Sequence, residues 1–472
     1  MTPKQPLSNF KSAPVRLFAA VAALALLLAL AGTLGPAGAV HAAGPFTVNT
    51  TADTHDGALG NGTCQDAGGF CSLRAAIEEA TALGGANTIN LPPGTYNLSL
   101  GELKTGSAAG TNITLAGSGT PANTIISQTD GVSRVFNIDY SFHGSVIVGI
   151  RHVTIQNGVG GPGGGGGAIL DGDVGDVLNL NDVTFTNNHT SSFNGGAISF
   201  TGGGALNVLN STFVNNSSPT GNGGAIHFLQ TQAGSLSVSG STFTGNSASG
   251  GTLGGQGGAI NVGCNICSPF SITSSTFTAN TAFRVGSSGG QGGAIMFGAG
   301  TLTLNFNRIT GNTAAGGGSG IFNGGGAAGA DNNWWGCNGG PGSAGCDTAV
   351  NGSGTLTTIP RIVLSLVANP NAIRRGLSSS LTASFLQNSS GGTLTPTQIS
   401  VLLGLPVTWS TNPAFGSLSG QQAAIQLSGT ATATFTSNGV PGASSSTARV
   451  DNQTVTATVP VLWLVELPII RH

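Results

Sequence analysis

Carboxylates at alternate positions on a flexible loop are the first chemistry this sequence offers: Asp171-Gly172-Asp173-Val174-Gly175-Asp176, followed by Asp182. Oxygen ligands so spaced, with glycines that let the backbone bend, suit calcium, and this reading selects Asp171, Asp173 and Asp176 as ligands. The run lacks the distal Glu of a helix–loop–helix calcium site and does not match the calcium-binding nonapeptide repeat, so a solvated acidic turn is the competing reading. Cys264-Asn265-Ile266-Cys267 is a second candidate. Zinc would need two further ligands, and neither a second such pair nor a close His is present. A redox thiol needs a helix start to lower its pKa, and this pair lies in a glycine-rich stretch. The six cysteines form three local pairs, Cys64 with Cys71, Cys264 with Cys267 and Cys337 with Cys346, which reads as structural disulfides of an oxidising compartment.

The elements that must position these groups repeat. Ile169, Ile198, Ile226, Ile260, Ile295 and Ile321 are 26 to 35 residues apart, the period of a stacked solenoid unit. From the second apolar anchor to the third the interval is always seven: Leu178 to Phe185, Leu206 to Phe213, Leu236 to Phe243, Phe270 to Phe277 and Leu302 to Ile309. Two short strands joined by a tight bend hold that number fixed, because one extra residue would flip every side chain between core and solvent. Between the third anchor and the next Ile the interval runs 13, 13, 17, 18 and 12, so insertions are expected at one corner.

Stacking predicts ladders. Phe200, Phe228 and Phe297 form one, Phe185, Phe213, Phe243 and Phe277 another, and Asn188, Asn216, Asn246, Asn280 and Asn312 stand at a bend where amides can bond along the axis. The Gly-Gly before each Ala-Ile marks a corner needing unusual dihedrals or close backbone approach. The outward positions beside the Ile anchors are Leu170, Ser199, His227, Asn261, Met296 and Phe322, with no carboxylate pair. His227 reads there as a lone surface imidazole. Arg151, Arg284 and Arg308 are scattered, and no active site is assembled; the expectation is no catalytic residue and no cofactor beyond the candidate calcium.

Ahead of the repeats, Leu73, Ala76, Ile77, Ala80 and Leu83 recur at helical spacing behind Ser72 as N-cap, giving one apolar face to lie over the first coil. Cys71-Ser72-Leu73-Arg74, with Cys64 upstream and Asn87-Thr88-Ile89-Asn90-Leu91-Pro92-Pro93-Gly94-Thr95-Tyr96 downstream, resembles the CSLREA domain of secreted bacterial proteins. The resemblance implies a cap over residues 44–100 that commonly precedes β-helix repeats, and it carries no catalytic residues. The chain departs from the family at Ala75, where the family has Glu and could close a capping box, and at Asn87, where the family usually has Asp. Gly-Gly-Ala-Ile and Ser-Thr-Phe-x-x-Asn resemble the repeats of polymorphic outer-membrane proteins, which implies a right-handed parallel β-helix over 101–358. Asn332-Asn333-Trp334-Trp335-Gly336-Cys337 is expected to close its far end, the two indoles covering exposed core rather than offering a sugar platform.

From Arg361 the period vanishes. Val363–Val367, Leu381–Phe385, Val407–Ser410, Ala431–Phe435 and Thr454–Val459 read as strands of a β-sandwich over 359–460. Leu405 to Ser410, Ser428 to Phe435 and Val455 to Val459 resemble bacterial Ig-like domains of the invasin and intimin type, which places Trp409 in a core. A short apolar tail, 461–472, follows, either a docked last strand or a sorting signal. Residues 1–43 read as a signal peptide: Lys4, Lys11 and Arg16 precede an apolar run from Leu17 to Leu30 and a small-residue cleavage site.

Composition bounds the function. Of 472 residues 80 are Gly without a three-residue period, which excludes collagen, and 39% hydrophobic residues argue against disorder. Only 6% are charged and the net charge is -2, so nothing attracts a phosphate backbone and nucleic acid is excluded as partner. No later segment is apolar enough to span a bilayer once the leader is removed. The expected fold is all-β: a right-handed parallel β-helix with an N-terminal capping helix, then an Ig-like β-sandwich. The expected role is a secreted or cell-surface binding scaffold meeting an extracellular polysaccharide or surface protein. The competing role is a polysaccharide lyase or glycoside hydrolase. The oligomeric state is not legible.

Overall fold

A computed structural model of the chain describes residues 44–463 apart from 107–109, 139–143, 162–163, 251–254, 265–268 and 285–288. The leader expected over 1–43 and most of the tail lie outside the described residues.

The repeats stack as a parallel β-solenoid of about eight turns. In the clearest coil, Ile260–Cys264, Pro269–Thr273, Thr276–Thr278 and Thr281–Arg284 form four successive strands. Each pairs in parallel with its counterpart one coil on, so that Ile169, Ile198, Ile226, Ile260, Ile295 and Ile321 are partners in register. So are Phe185, Phe213, Phe243, Phe277 and Ile309. The first three strand positions join one 24-stranded sheet, while the fourth forms a separate six-stranded sheet. That fourth strand was not legible as one, because stretches such as Ser217–Ser218 and Ser247–Gly250 carry the composition of a loop. Insertions follow it, but they are not confined to one corner. The path from first to second anchor also varies, with register shifts at Val174/Asp176 and Gly202/Gly204.

The constant interval of seven has a single-residue cause. At the bend before the third strand, His152, Asp182, Asn210, Gly240, Ser274, Phe306 and Asn332 all have positive φ. One left-handed residue turns the chain by a fixed amount, which leaves no room for insertion. A second such column, Asn157, Asn187, Asn215, Gly245, Ala279 and Gly311, follows the third strand. The Gly-Gly corner needs both properties expected of it. Gly223 has φ +68°, and a β-carbon on Gly224 would lie 2.1 Å from the carbonyl oxygen of Gly258 in the next coil.

The core ladders form with one amendment. Phe185, Phe213, Phe243 and Phe277 stack face to face at 4.6 to 4.9 Å. Phe200 and Phe228 also stack, but Val262 occupies the rung between Phe228 and Phe297. Phe270, from the second strand of that coil, fills the gap edge-on, 5.7 Å from Phe228 and 6.0 Å from Phe297.

The buried Asn column is fully paired. Each Nδ2 donates to Oδ1 of the next rung, Asn188 to Asn216 and Asn216 to Asn246 at 3.0 Å, Asn246 to Asn280 at 2.9 Å and Asn280 to Asn312 at 2.8 Å. Its second hydrogen goes to a main-chain carbonyl such as Phe213 O, and the same Oδ1 accepts the previous rung's main-chain N–H. Asn312 donates to Asp347 Oδ2 at 2.7 Å, which ends the column. A second column runs beside it through Ser211, Ser241, Ser275, Asn307 and Asn333.

The parallel pairing begins inside the N-terminal segment, before residue 101. Pro45–Thr47 pairs with Ala86–Leu91, which pairs with Asn112–Gly117. Between them lies the helix Leu73–Leu83, whose Leu73, Ala76, Ile77 and Ala80 are buried in the solenoid core. Ser72 Oγ accepts from Ala75 N at 3.0 Å, and Ala75 is itself fully buried. Asn87 Nδ2 donates to the carbonyls of Gly84 and Ala80, so it closes the helix C-terminus. The Cys64–Cys71 disulfide forms beside the N-cap.

Beyond Thr357 two four-stranded sheets share apolar clusters. Ile362–Asn369, Ser378–Asn388, Thr430–Ser437 and Gly416–Ser419 make one; Ile373–Arg374, Gln453–Leu462, Gly442–Val450 and Thr408–Thr411 make the other. Leu381, Ala433 and Phe435 from the first meet Ile373, Val459 and Val461 from the second. Trp409 is half-buried between clusters and donates to Gln422 O at 2.9 Å. The last strand continues to Leu462, so the start of the expected tail is part of this sheet and pairs with Ile373 and Arg374.

The two tryptophans divide. Trp335 enters the solenoid core, but Trp334 belongs to the C-terminal cluster, with its ring edge-on to Phe385 at 4.9 Å and Nε1 donating to Asp451 Oδ2 at 2.7 Å. Neighbours in extended backbone point to opposite sides, so one residue closes the solenoid while the next anchors the module. Both are fully buried, which leaves no ring face for sugar stacking.

Two substitutions check these constraints. Asn246→Ala removes four hydrogen bonds to neighbouring rungs, and urea unfolding should show a loss of about 3 kcal/mol or more. Ala279→Gly relieves a left-handed alanine on the exposed surface and should stabilise by about 1 kcal/mol in the same assay.

Candidate functional site

The residues singled out for chemistry do not gather at one place. Asp171 ends the strand Ile169–Asp171 and Asp176 lies within Val174–Thr186; both side chains are buried. Asp176 Oδ1 accepts from Val146 N at 2.8 Å, and Asp173 Oδ1 accepts from its neighbour Val174 N at 2.7 Å. Among the described residues no three His, Cys, Asp or Glu side chains are grouped so as to hold a metal ion. Cys337 and Cys346 are bonded, with Cα atoms 5.2 Å apart. Cys267 lies outside the described residues, and with it the pairing expected for Cys264.

The Cys337–Cys346 loop has a use that the sequence did not disclose. It presents Asp347 to the end of the Asn column, where its two carboxylate oxygens accept from Gly311 N at 2.9 Å, Asn312 N at 3.1 Å and Asn312 Nδ2. Burial pushes this carboxyl above its ordinary range, and the bonds from Asn312 and Gly311 together with the Arg308 charge offset that only in part.

His227 is not a surface imidazole. The column Ser199, His227, Asn261 and Met296 is buried, and at its ends glycine segments lie close over it: Gly165 packs against Ser199 and Gly324 against Met296. His227 Nδ1 lies 3.0 Å from Asn261 Oδ1, and Nε2 has no partner. Burial lowers its pKa from 6.5 to about 4 against the opposing pull of Asn261, so the ring is neutral at pH 7.

Charge is concentrated instead at the N-terminal segment. Arg74, 4% exposed, forms a forked pair with Asp53 (2.7 and 3.2 Å) and donates to the carbonyls of Glu102 and Gly101. Burial alone would raise the Asp53 carboxyl, but Arg74 and the N–H groups of Leu100 and Ser99 together hold it below its ordinary value. Glu102 accepts from Arg134 at 3.3 Å and Asn137 at 3.0 Å. Beside this network a cavity of about 360 Å³ is lined by His55, Glu78, Glu102, Lys104 and Arg74, with His55 Nδ1 2.6 Å from Glu78 Oε1. Sequence inspection passed over these residues because they share no short motif; their clustering in a chain so poor in charge was the available signal.

The outer face of the third strand is different in kind. Thr184, Thr212, Thr242 and Thr276 form one column, and Thr186, Val214, Thr244 and Thr278 the other, flanking the inward phenylalanines; Thr310, next in the second column, is buried. Thr244 and Thr278 hydroxyls are 3.0 Å apart. Rungs separated by about 4.8 Å thus carry a regular lattice of hydroxyl and methyl groups on a rigid backing.

The buried His227 makes stability depend on pH. Because its folded pKa lies below the unfolded value, the unfolded chain binds the extra proton between pH 6.5 and about 4. The His227 contribution is fully present above pH 6.5 and should fall by about 3 kcal/mol as pH drops through that window. Chemical denaturation of His227→Asn should show that part of the slope removed.

No protein-family model matches the chain, and no curated protein matches it. Among solved structures it is similar to the adhesin InvE of Yersinia pseudotuberculosis, at 24% identity over 21% of this chain and 26% of that one, with a TM-score of 0.16. The likeness thus spans about a quarter of that adhesin's length.

Proposed function

We propose that the chain is a secreted or cell-surface binding scaffold. In this reading the solenoid is right-handed, residues 44–100 are a CSLREA-like cap over its first coil, and residues 359–460 are an Ig-like β-sandwich set against its last. The observation that carries the reading is the threonine lattice: equivalent side chains recur in register on successive rungs, so one surface offers the same contacts many times. Repeated weak contacts summed on a rigid frame give avidity without a deep pocket. The Cys64–Cys71 and Cys337–Cys346 disulfides support an extracellular setting. The buried face of the helix Leu73–Leu83 supports the cap, since a solenoid end otherwise exposes core and unpaired strand edges.

A second reading, a polysaccharide-active enzyme, is favoured by one feature. The N-terminal cavity brings carboxylates Glu78 and Glu102 near His55 and Lys104, the residue types that acid–base cleavage of a glycan uses.

The two are separated by assaying the full secreted chain on immobilised glycans and surface proteins, and in parallel for reducing-end or uronate release with and without calcium. The scaffold reading expects saturable binding without product, unchanged in Glu78→Gln. Product formation that Glu78→Gln abolishes would establish the enzyme instead.

A further inference from the structure

The C-terminal module lies alongside the solenoid as well as beyond its last turn. Its short turn at Ser400–Leu402 faces the column of left-handed residues, and the two enclose a cleft of about 330 Å³. Asn210, Thr242, Ser274 and Thr276 line it from three successive rungs, with Ser400 and Val401 opposite. The volume is at the low end of small-molecule sites, about 300 to 1,000 Å³.

No lining residue is charged. Among the described residues, the side-chain oxygens of Asn210, Thr242, Ser274, Thr276 and Ser400 have no hydrogen-bond partner in the protein. A cleft of neutral hydroxyl and amide groups with free bonding capacity matches a ligand that is itself neutral and hydroxylated. It offers nothing to a phosphate, sulfate or uronate, whose desolvation needs a cation or a convergent set of donors. The floor also continues, because Thr212 and Thr184 extend the Thr242–Thr276 column rung by rung past the cleft. A floor that repeats suits a ligand that repeats.

We propose that this cleft is the binding subsite for an uncharged polysaccharide, whose chain runs along the solenoid axis over the threonine column. The proposal rests on the scaffold reading and names its partner class. The module's turn at Ser400 supplies the wall that fixes one sugar ring, and the open threonine rungs carry its neighbours.

The test is affinity electrophoresis and calorimetry of the full chain with soluble neutral polymers (a mixed-linkage β-glucan, an α-glucan and a galactomannan), with polygalacturonate as charged control. Ser400→Trp fills the cleft from the module side and Thr276→Lys crosses its floor; both positions face solvent, and melting curves confirm that the variants fold. A neutral polymer should be retained by the wild-type chain and lose at least about tenfold in affinity in each variant. Equal binding by wild type and both variants would overturn the cleft while leaving the scaffold reading intact. Retention of polygalacturonate alone, or of no polymer at all, would overturn it likewise. Depolymerisation during the assay would overturn the scaffold reading itself.

Discussion

The structure depends on the pairing of buried side-chain amides along the solenoid axis. Each Asn must donate forward and accept from behind, so the column has a direction, and every rung but the last must carry both functions. Asp can only accept at neutral pH. It stands at the terminal rung, Asp347, where nothing further must receive a hydrogen and three N–H donors converge. The burial that raises the Asp347 carboxyl is the cost of this arrangement. The Cys337–Cys346 loop is therefore more than a staple on an irregular segment: it delivers the group that completes a chain of hydrogen bonds begun at Gly158 N, which donates to Asn188.

The same end shows how a repeat stops. Phe306 occupies the left-handed bend where other rungs place Asn, Asp, Gly, Ser or His, an unfavourable conformation for a bulky side chain. Its ring packs against the C-terminal cluster that Trp334 also enters. Arg308 stands where the rungs before it have Thr, and pairs through Nε with Asp451 Oδ2 at 3.0 Å, the oxygen that also accepts from Trp334. These two deviations from the repeat lie where the last coil meets the module, and each is accounted for by a contact the module makes. Asn338 and Asn388 add hydrogen bonds to Leu364 and Asn332 across the same junction.

Much of the solenoid was legible because stacking converts spacing into contact: the Ile, Phe and Asn columns follow from position in the repeat alone. What escaped was of two kinds. Elements built from residues common in loops were invisible as strands, among them Ser247–Gly250 and Gly442–Val450, where Ser444 and Ser446 are fully buried and bond to Thr411. Groups that act once rather than per repeat were invisible as sites: Asp347, Arg74 and the Glu78–Glu102 cavity have no period to betray them. His227 was misplaced for a related reason. Alternation assigns it outward, but that column of the first strand is covered in the fold, and the ring is buried.

In-register stacking also penalises charge at repeated positions of the solenoid. A charged residue in the repeat would meet its own copy about 4.8 Å above and below, a repulsion of roughly 3 kcal/mol per contact at an effective dielectric of 20. Columns can therefore carry charge where the adjoining rungs are neutral, as with Arg151 between Ala116 and Asn181, or where the repeat has ended. Neutral side chains that bond to themselves, Thr, Ser and Asn, are what remains for the outer faces. A surface constrained in this way presents hydroxyl, methyl and amide groups rather than charge.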